Sequence, residues 1–542
     1  MGDAKPAVRR VGAIPLRVRV GVTGHRQLPD DPALTARVSW TLQRIQQLTR
    51  ASPATSVQLA AVSPLAEGAD RLIAHQVLQT PGGTLEVPLP LPQSDYRVDF
   101  SSEESRRQFD ALLAQAGQVV ALPPAGTREE AYDQAGHYVV DWCDVLIALW
   151  DGHPARGQGG TADVVARARE RGLPLFWISP ESPFAVQEER GAQLSMLCRD
   201  LDVYNRGAVD DTRLARHADQ QAALLLEKAD QAGLSRDVPL PFWAWMAPYL
   251  ARAATLARQR QRRFSQLGAA QYLLAAAAVA AGALQSTLFP TFWPLAWLEV
   301  VFLGVILALL VVGRRSRAQE RWIAYRAVAE RLRSCLFLAL AGAEAAHETE
   351  TERVTLSHPS EQWIQRAVVE VWSTRPAPVV LPGEVAGLKR FLSAAWLQEQ
   401  RRYHQKASRR HARRHRRLIY ASAAAFAVTL IAALLHAFGW LDTRVAASSA
   451  STSWGSVLIL VTIALPALAG ALRGVGVQQE FLRNAERSGR TISYLGAIQR
   501  RLEAARDLPG VRRVAQDAAR LMLEENHDWY TVMLLHDIEL DT

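Results

Sequence analysis

Four long stretches in the second half of the chain carry almost no charge, and nothing else in the sequence constrains the fold as tightly. Leu267–Thr287 runs for 21 residues without a charged side chain. Phe292–Val312 holds only Glu299, and Leu418–Leu441 and Val445–Leu472 hold no charge at all. At ~1.5 Å per residue, about 20 apolar residues in a helix cross a ~30 Å hydrocarbon core. A helix on a soluble core ordinarily keeps a polar face, and these stretches show almost none. The sequence therefore predicts four spans, at about 267–287, 292–312, 418–440 and 454–473.

Basic residues next to the spans predict their orientation. Arg258, Arg260, Arg262 and Arg263 precede the first span, and Arg314, Arg315 and Arg317 follow the second. Arg401–Arg417, ahead of the third, contains eight Arg and one Lys and no acid. The connections Leu288–Thr291 and Asp442–Ser453 hold only Arg444. Both connections are expected outside and both termini in the cytoplasm. The start of the sequence is polar and does not read as a cleavable signal. Lys and Arg (62) exceed Asp and Glu (53), which raises the question of nucleic acid. The densest basic run abuts a span, so attraction to anionic lipid explains it more simply, and no nucleic-acid partner is expected.

The two pairs of spans look like one unit used twice, each with an Arg-rich run, an Ala-rich span, a turn, a second span and an amphipathic helix. The first such helix carries Trp322, Tyr325, Ala329, Leu332 and Leu336 at helical spacing; the second carries Phe481, Ile492, Leu495, Ile498 and Leu502. These faces fit packing within the chain or contact in a homo-oligomer. Glu299 and His436 are the candidate pore residues, with placement at the membrane interface as the alternative. Pro466 is expected to kink the fourth span.

Residues 1–185 read differently, as strands alternating with helices. Strands are expected at Leu16–Val22, Gln58–Val62, Leu85–Leu89, Gln118–Leu122, Val145–Trp150 and Leu175–Ile178. The alternation predicts an α/β, doubly wound parallel sheet, followed by an all-α region with two membrane hairpins and long cytoplasmic helices. The remaining boundaries are a helical linker at 186–255, a first membrane unit at 256–345, a cytoplasmic segment at 346–408 and a second membrane unit at 409–542. Within the linker, Pro239–Trp245 is expected to interrupt the helix just before the membrane, as an interfacial anchor or the core of a small linker domain.

In such a sheet, ligands bind beyond the carboxyl ends of the strands. Three junctions there carry Gly beside phosphate- or ribose-binding types: Gly24-His25-Arg26, Glu67-Gly68-Ala69-Asp70-Arg71, and Asp151 with Gly159-Gly160-Thr161 and Asp163. Bare backbone at Gly159–Thr161 lets a phosphate approach a helix N-terminus. Arg26 and Arg71 can neutralise phosphate, and Asp70, Asp151 or Asp163 can accept ribose hydroxyls. Gly is also what tight turns need, and Asp70 and Arg71 can pair as scaffolding. Gln93–Phe100, with Tyr96, Asp99 and Phe100, reads either as a lid stacking on a base or as a surface loop pinned by its aromatics. Cys143, Cys198 and Cys335 show no metal spacing, so no metal or resident cofactor is expected.

At these residues the chain resembles a known family. Val22–Arg26, Ser63–Leu72, Val145–Gly152 and Gly159–Val165 resemble the motifs of the SLOG domain, the Rossmann-like superfamily that includes the Lonely Guy phosphoribohydrolases. The resemblance covers roughly residues 15–180. The back half is similar to SLATT-type two-helix membrane effectors at Ala318–Leu332 and Leu465–Leu502, with Trp529 near the end; two tandem copies depart from the single-pair form. The resemblance implies a bacterial inner-membrane effector of antiphage or conflict systems, whose SLOG part senses a nucleotide-derived signal and whose membrane part forms a pore.

It also bears on catalysis. Lonely Guy enzymes carry Pro-Gly-Gly-x-Gly-Thr-x-x-Glu, whose Glu assists glycosidic cleavage. Here Val164 stands where that Glu is expected, and the leading Pro and third Gly are missing. Asp163 and Glu67 are the nearest substitutes. Glycoside chemistry needs well-placed carboxylates, so the resemblance favours binding over turnover. A membrane-tethered nucleotide N-glycosidase and a passive membrane scaffold are the alternative readings.

Overall fold

The computed structural model describes residues 10–154, 160–344, 359–377, 382–438 and 454–538. The chain divides into two compact units, Met1–Ala208 with Thr351–Thr374, and Val209–Glu350 with Arg375–Thr542.

The first unit is a seven-stranded sheet in the order β4-β3-β2-β1-β5-β6-β7. Its strands are β1 (Leu16–Gly24), β2 (Val57–Val62), β3 (Thr84–Leu89), β4 (Gln118–Ala121), β5 (Val145–Leu149), β6 (Leu175–Ile178) and β7 (Val186–Glu189). The first six are parallel and β7 is antiparallel to β6. All five residues of β5 are buried, as expected of a parallel strand covered on both faces. The helices are α1 (Pro32–Thr49), α2 (Ala69–Leu78), α3 (Gln93–Arg97), α4 (Glu103–Leu113), α5 (Arg128–Trp142), α6 (Thr161–Glu170) and α7 (Leu194–Arg206). Local sequence starts several of them: Asp31 caps α1 through the Ala33 N–H, and Thr127 and Glu130 form a reciprocal capping box on α5.

The six expected strands are present, and β7 is an addition. Its sequence, Val-Gln-Glu-Glu, lacks the apolar alternation of a strand. It pairs along the outer edge of β6, where a short charged strand suits the rim of a sheet.

The unit also extends past residue 185 in two places. Asn205 of α7 grips the Ile14 backbone from both sides, its Oδ1 accepting from Ile14 N (3.1 Å) and its Nδ2 donating to Ile14 O (2.8 Å). A further helix, α12 (Pro359–Ser373), packs on α7 and β1. It buries Trp363, Ile364, Ala367, Val368, Val371 and Trp372. Two ion pairs accompany that apolar face: Glu370 takes Arg17 of β1 through two contacts (2.7 and 2.8 Å), and Arg366 meets Asp144 at 2.6 Å. In the sequence α12 lies between the second and third candidate spans.

The second unit is helical. It contains α8 (Asp211–Ala232), α9 (Pro239–Thr287), α10 (Pro294–Ser316), α11 (Ala318–Ala341), α13 (Val385–Leu392), a π-helical turn (Ser393–Leu397), α14 (Gln398–Ala437), α15 (Trp454–Gln478), α16 (Phe481–Ala504) and α17 (Leu508–Ile538). Four helical stretches are long and apolar enough to cross a membrane. The span of α10 makes the physical case: none of its residues is buried, although Trp297, Leu303 and Leu307 are among the large apolar groups it leaves open. Water would oppose such a surface and a bilayer would not. α9 packs on α10, α11 and α15, and α14 packs on α15 and α16. The connection between α14 and α15, with Arg444, lies outside the described residues.

The two halves of this unit share a detail that periodicity does not reveal. Each apolar helix gives way to its amphipathic successor at one left-handed, non-glycine residue, Arg317 (φ 43°) and Glu480 (φ 46°). Each of these is then ion-paired one turn on, Arg317 with Glu320 and Glu480 with Arg483. The proline-rich stretch differs from expectation. Pro239 opens α9 rather than interrupting a helix, and α9 runs unbroken for 49 residues through Pro248. Phe242 is buried and Trp243 donates its indole N–H to Ala218 O of α8 at 3.3 Å. These aromatics serve the core of the helical unit, ~36 Å of helix ahead of the expected span start at Leu267.

Candidate ligand-binding site

Strand order reverses between β1 and β5, the place where a doubly wound sheet opens a crevice. Gly24 and Leu149 are opposite one another in the register, so both strands end level. Past this line His25 continues the ladder, its backbone N–H donating to Leu149 O at 3.1 Å. Its imidazole then bridges the crevice, Nε2 accepting the Asp151 backbone N–H at 3.1 Å. A backbone N–H can only donate, which places the proton of the neutral ring on Nδ1.

Asp151 is the anionic centre of this rim. Its Oδ1 accepts the His153 N–H at 3.0 Å, and its Oδ2 lies 3.4 Å from His25 Nε2 and 3.3 Å from His153 Nδ1. The backbone bond from the His153 N–H holds its carboxyl below the usual carboxylate range, against the opposing effect of burial. His153 escaped the sequence reading; its signal is the run Trp-Asp-Gly-His directly after a strand. Behind it, Trp150 donates to His153 O (2.9 Å) and Trp177 donates to Trp150 O (2.6 Å), making a tryptophan wall.

The glycines at the tips have an additional cause. A Cβ on Gly24 would stand 2.5 Å from Ala69 Cβ and 2.7 Å from Leu149 O. Gly68 combines φ +81° with a Cβ position 2.3 Å from His25 O. The start of α2 thus presses directly onto the end of β1, and Ala69 N–H donates to His25 O at 3.1 Å. These two glycines permit that contact, whatever ligand stands above it.

The remaining candidates separate into buried and open groups. Asp70 is buried, accepts from Ser63 Oγ at 2.8 Å, and is pushed up to about 7 by burial. Arg71 is also buried; it donates to Leu65 O (3.1 Å) and to Ser105 O and Oγ (2.9 and 2.7 Å), and lies over the Phe100 ring at 4.4 Å. Glu67 accepts from Ser101 N and Oγ at 3.1 and 3.0 Å and from Ser105 Oγ. Burial raises its pKa, but the serine bonds and the Arg71 charge prevail and lower it. Asp70 and Arg71 do not hydrogen-bond each other; each is tied to its own partners. Tyr96 and Phe100 are buried against Phe109, and Gln93–Arg97 is a short helix. Their rings are therefore core, and only Asp99, paired with Arg128 at 2.8 Å, lies nearer the surface.

Arg26 is different. It is exposed, stands 5.7 Å over the Tyr132 ring, and makes no ion pair among the described residues. Gly160 is the N-cap of α6, with no side chain capping the helix. Thr161 follows at half exposure, and Asp163 is exposed. Uncapped N–H groups and an open helix end are what an anion needs. Gly159 lies outside the described residues. Val164 is buried, its Cγ2 2.8 Å from where a Cβ on Gly136 of α5 would stand. The position expected to carry a catalytic Glu therefore faces the core.

In the helical unit the Glu299 carboxylate comes within 3.0 Å of a Cβ position on Gly282 of α9, while His436 is exposed on α14. No described contact brings these two together. Among the described residues no cluster has the makings of a metal site, and the three cysteines are free and buried. No family model matches this chain, and no curated protein matches it.

Proposed function

We propose that this chain is a ligand-responsive membrane effector, with the α/β unit binding a nucleotide-type anion in the β1–β5 crevice. The single observation that carries the reading is α12: a helix between the second and third candidate spans belongs to the α/β unit. The chain thus connects that unit to the helical unit at three places, after residue 208, before 351 and after 374. A ligand that prefers one state of the α/β unit acts on both halves of the membrane part through covalent connections, and ~1.4 kcal/mol of preference shifts the ratio tenfold.

At the crevice, Arg26 and the start of α6 take the phosphate, and Asp151 accepts ribose hydroxyls with His25 beside it. The resemblance to SLOG sensors and tandem SLATT-like hairpins supports this reading and extends it to a homo-oligomeric pore in a bacterial inner membrane, with cytoplasmic termini and a role in antiphage defence. Burial of Val164 favours binding without glycosidic cleavage.

The test uses the full chain in dye-loaded vesicles. Mono-, di- and cyclic nucleotides are screened first by thermal shift in detergent, then for leakage. Nucleotide-triggered leakage lost in Arg26→Ala is the expected result. No thermal stabilisation by any nucleotide at millimolar concentration refutes the sensor. Stabilisation without leakage refutes the pore and leaves the scaffold, and released base establishes the hydrolase instead.

A further inference from the structure

The helical unit holds a cavity of about 900 Å³ that the reading above does not use. Ligand pockets run to ~300–1,000 Å³. Residues of α8, α9, α11, the π turn and the start of α14 line it. Lys and Arg on its wall outnumber Glu six to three. Two of the acids are already engaged, Glu399 by Lys228 (2.7 Å) and Arg402 (3.2 Å), and Glu330 by Arg333 (2.5 Å). Arg258 and Arg410 make no ion pair among the described residues. They stand nine and eight residues ahead of Leu267 and Leu418, where the first and third expected spans begin, which is ~12–14 Å along each helix. Both line the one cavity, and under the membrane reading proposed above both stand shortly before a span on the same side.

Apolar and aromatic residues make up much of the remaining wall, with Gln221, Gln261 and Gln400 among its polar members. Trp396 comes from the π turn Ser393–Leu397 and stacks on Phe337 at 5.0 Å and 11°. A π turn departs from the regular helical ladder and often marks a functional position. The surplus of positive charge is felt by His411 on the same wall: burial, then Arg410, Arg414 and Arg326, push its pKa down to about 4, so it stays neutral.

We propose that this cavity is a second ligand site, taking an amphipathic anion whose phosphate-type head meets Arg258 and Arg410 and whose apolar or aromatic body lies against Trp396 and Phe337. The head is offered by an anionic lipid rising from the bilayer or by a soluble nucleotide, and the chemistry recognised is the same. The site is independent of the β1–β5 crevice.

Native mass spectrometry of the full chain in mild detergent tests it, with phosphatidylglycerol, phosphatidylcholine and ATP as separate probes. All variants carry Arg26→Ala and Asp151→Asn, so that failure of the crevice has no bearing on the result. Phosphatidylglycerol or ATP is expected to bind in preference to phosphatidylcholine. Affinity should fall roughly tenfold or more in Arg258→Gln/Arg410→Gln and stay within about threefold in the Lys/Lys double variant that keeps the charge. Binding of phosphatidylglycerol alone makes the occupant a lipid, and binding of ATP alone makes it soluble. The proposal is overturned if neither anion binds at millimolar concentration, if phosphatidylcholine binds equally, or if the Gln and Lys variants behave alike.

Discussion

Replacing Glu370 with Ala loosens α12 without unfolding the chain, and the size of the effect follows from the geometry. Removing one partner of a fully buried ion pair costs about 3–5 kcal/mol. The Glu370 side chain is 7% exposed but that of Arg17 is 22% exposed. Arg17 also keeps Thr84 Oγ1 at 2.5 Å and Gln58 Oε1 at 3.3 Å. The loss is therefore placed lower, at about 2 kcal/mol, or roughly thirtyfold in the local opening equilibrium. Against it, burying Ile364, Val368 and Val371 contributes about 1.5–3 kcal/mol each, so α12 remains docked. Hydrogen exchange of the full chain in detergent reads this directly. Peptides from 359–374 should lose about thirtyfold in protection, while those from β5 change by less than about threefold. Unchanged exchange in 359–374, or equal loss across the sheet, would show that the pair does not hold α12 to β1. Under the proposed function, the same variant still binds nucleotide but transmits it poorly.

Three further outcomes follow. Asp70 has a folded pKa raised to about 7, so the folded state holds a proton that the unfolded chain releases near 4. That contribution is fully present below about pH 4 and is lost as pH rises through 7. Asp70→Asn should flatten the decline in melting temperature between pH 5 and 8; an unaltered slope refutes the assignment. Gly24→Ala and Gly68→Ala should each cost at least about 1–3 kcal/mol through close contact with their neighbours, seen as a lower melting temperature without ligand. A melting temperature equal to that of the parent would argue against the tight β1–α2 junction. Arg71→Ala should destabilise the unliganded protein, whereas Arg26→Ala should leave it within about 0.5 kcal/mol and abolish nucleotide stabilisation. The reverse pattern would exchange their roles.

Six strands, the four helices long and apolar enough to cross a membrane and the level at which β1 and β5 end were legible because each rests on a local pattern: apolar runs, alternation, and glycine at strand ends. The other features depend on distant residues. Nothing near Arg71 announces that Ser105 and Leu65 occupy its guanidinium, so burial turned a plausible phosphate ligand into a strut. For Tyr96 and Phe100 the sequence left a lid and a loop pinned by its aromatics both open, because the partner that decides it, Phe109, lies on the next helix. β7 escaped because edge strands need no apolar face. α12 escaped because its partners, Arg17 and Asp144, stand more than two hundred residues away in the sequence. At Trp243 the sequence left an interfacial anchor and a local core both open, and only the bond to Ala218 O of α8, out of reach of any local pattern, favours the core.

The assembly of the α/β unit from two separated stretches limits how such a protein can be rearranged in evolution or in the laboratory. A single crossover at residue 208 would deliver a sheet stripped of α12, with Tyr204 short of the Trp363 ring and Arg17 and Asp144 deprived of their counter-charges. Grafting this α/β unit onto another helical region requires three junctions made together, so the pairing of front and back halves should be inherited as a block.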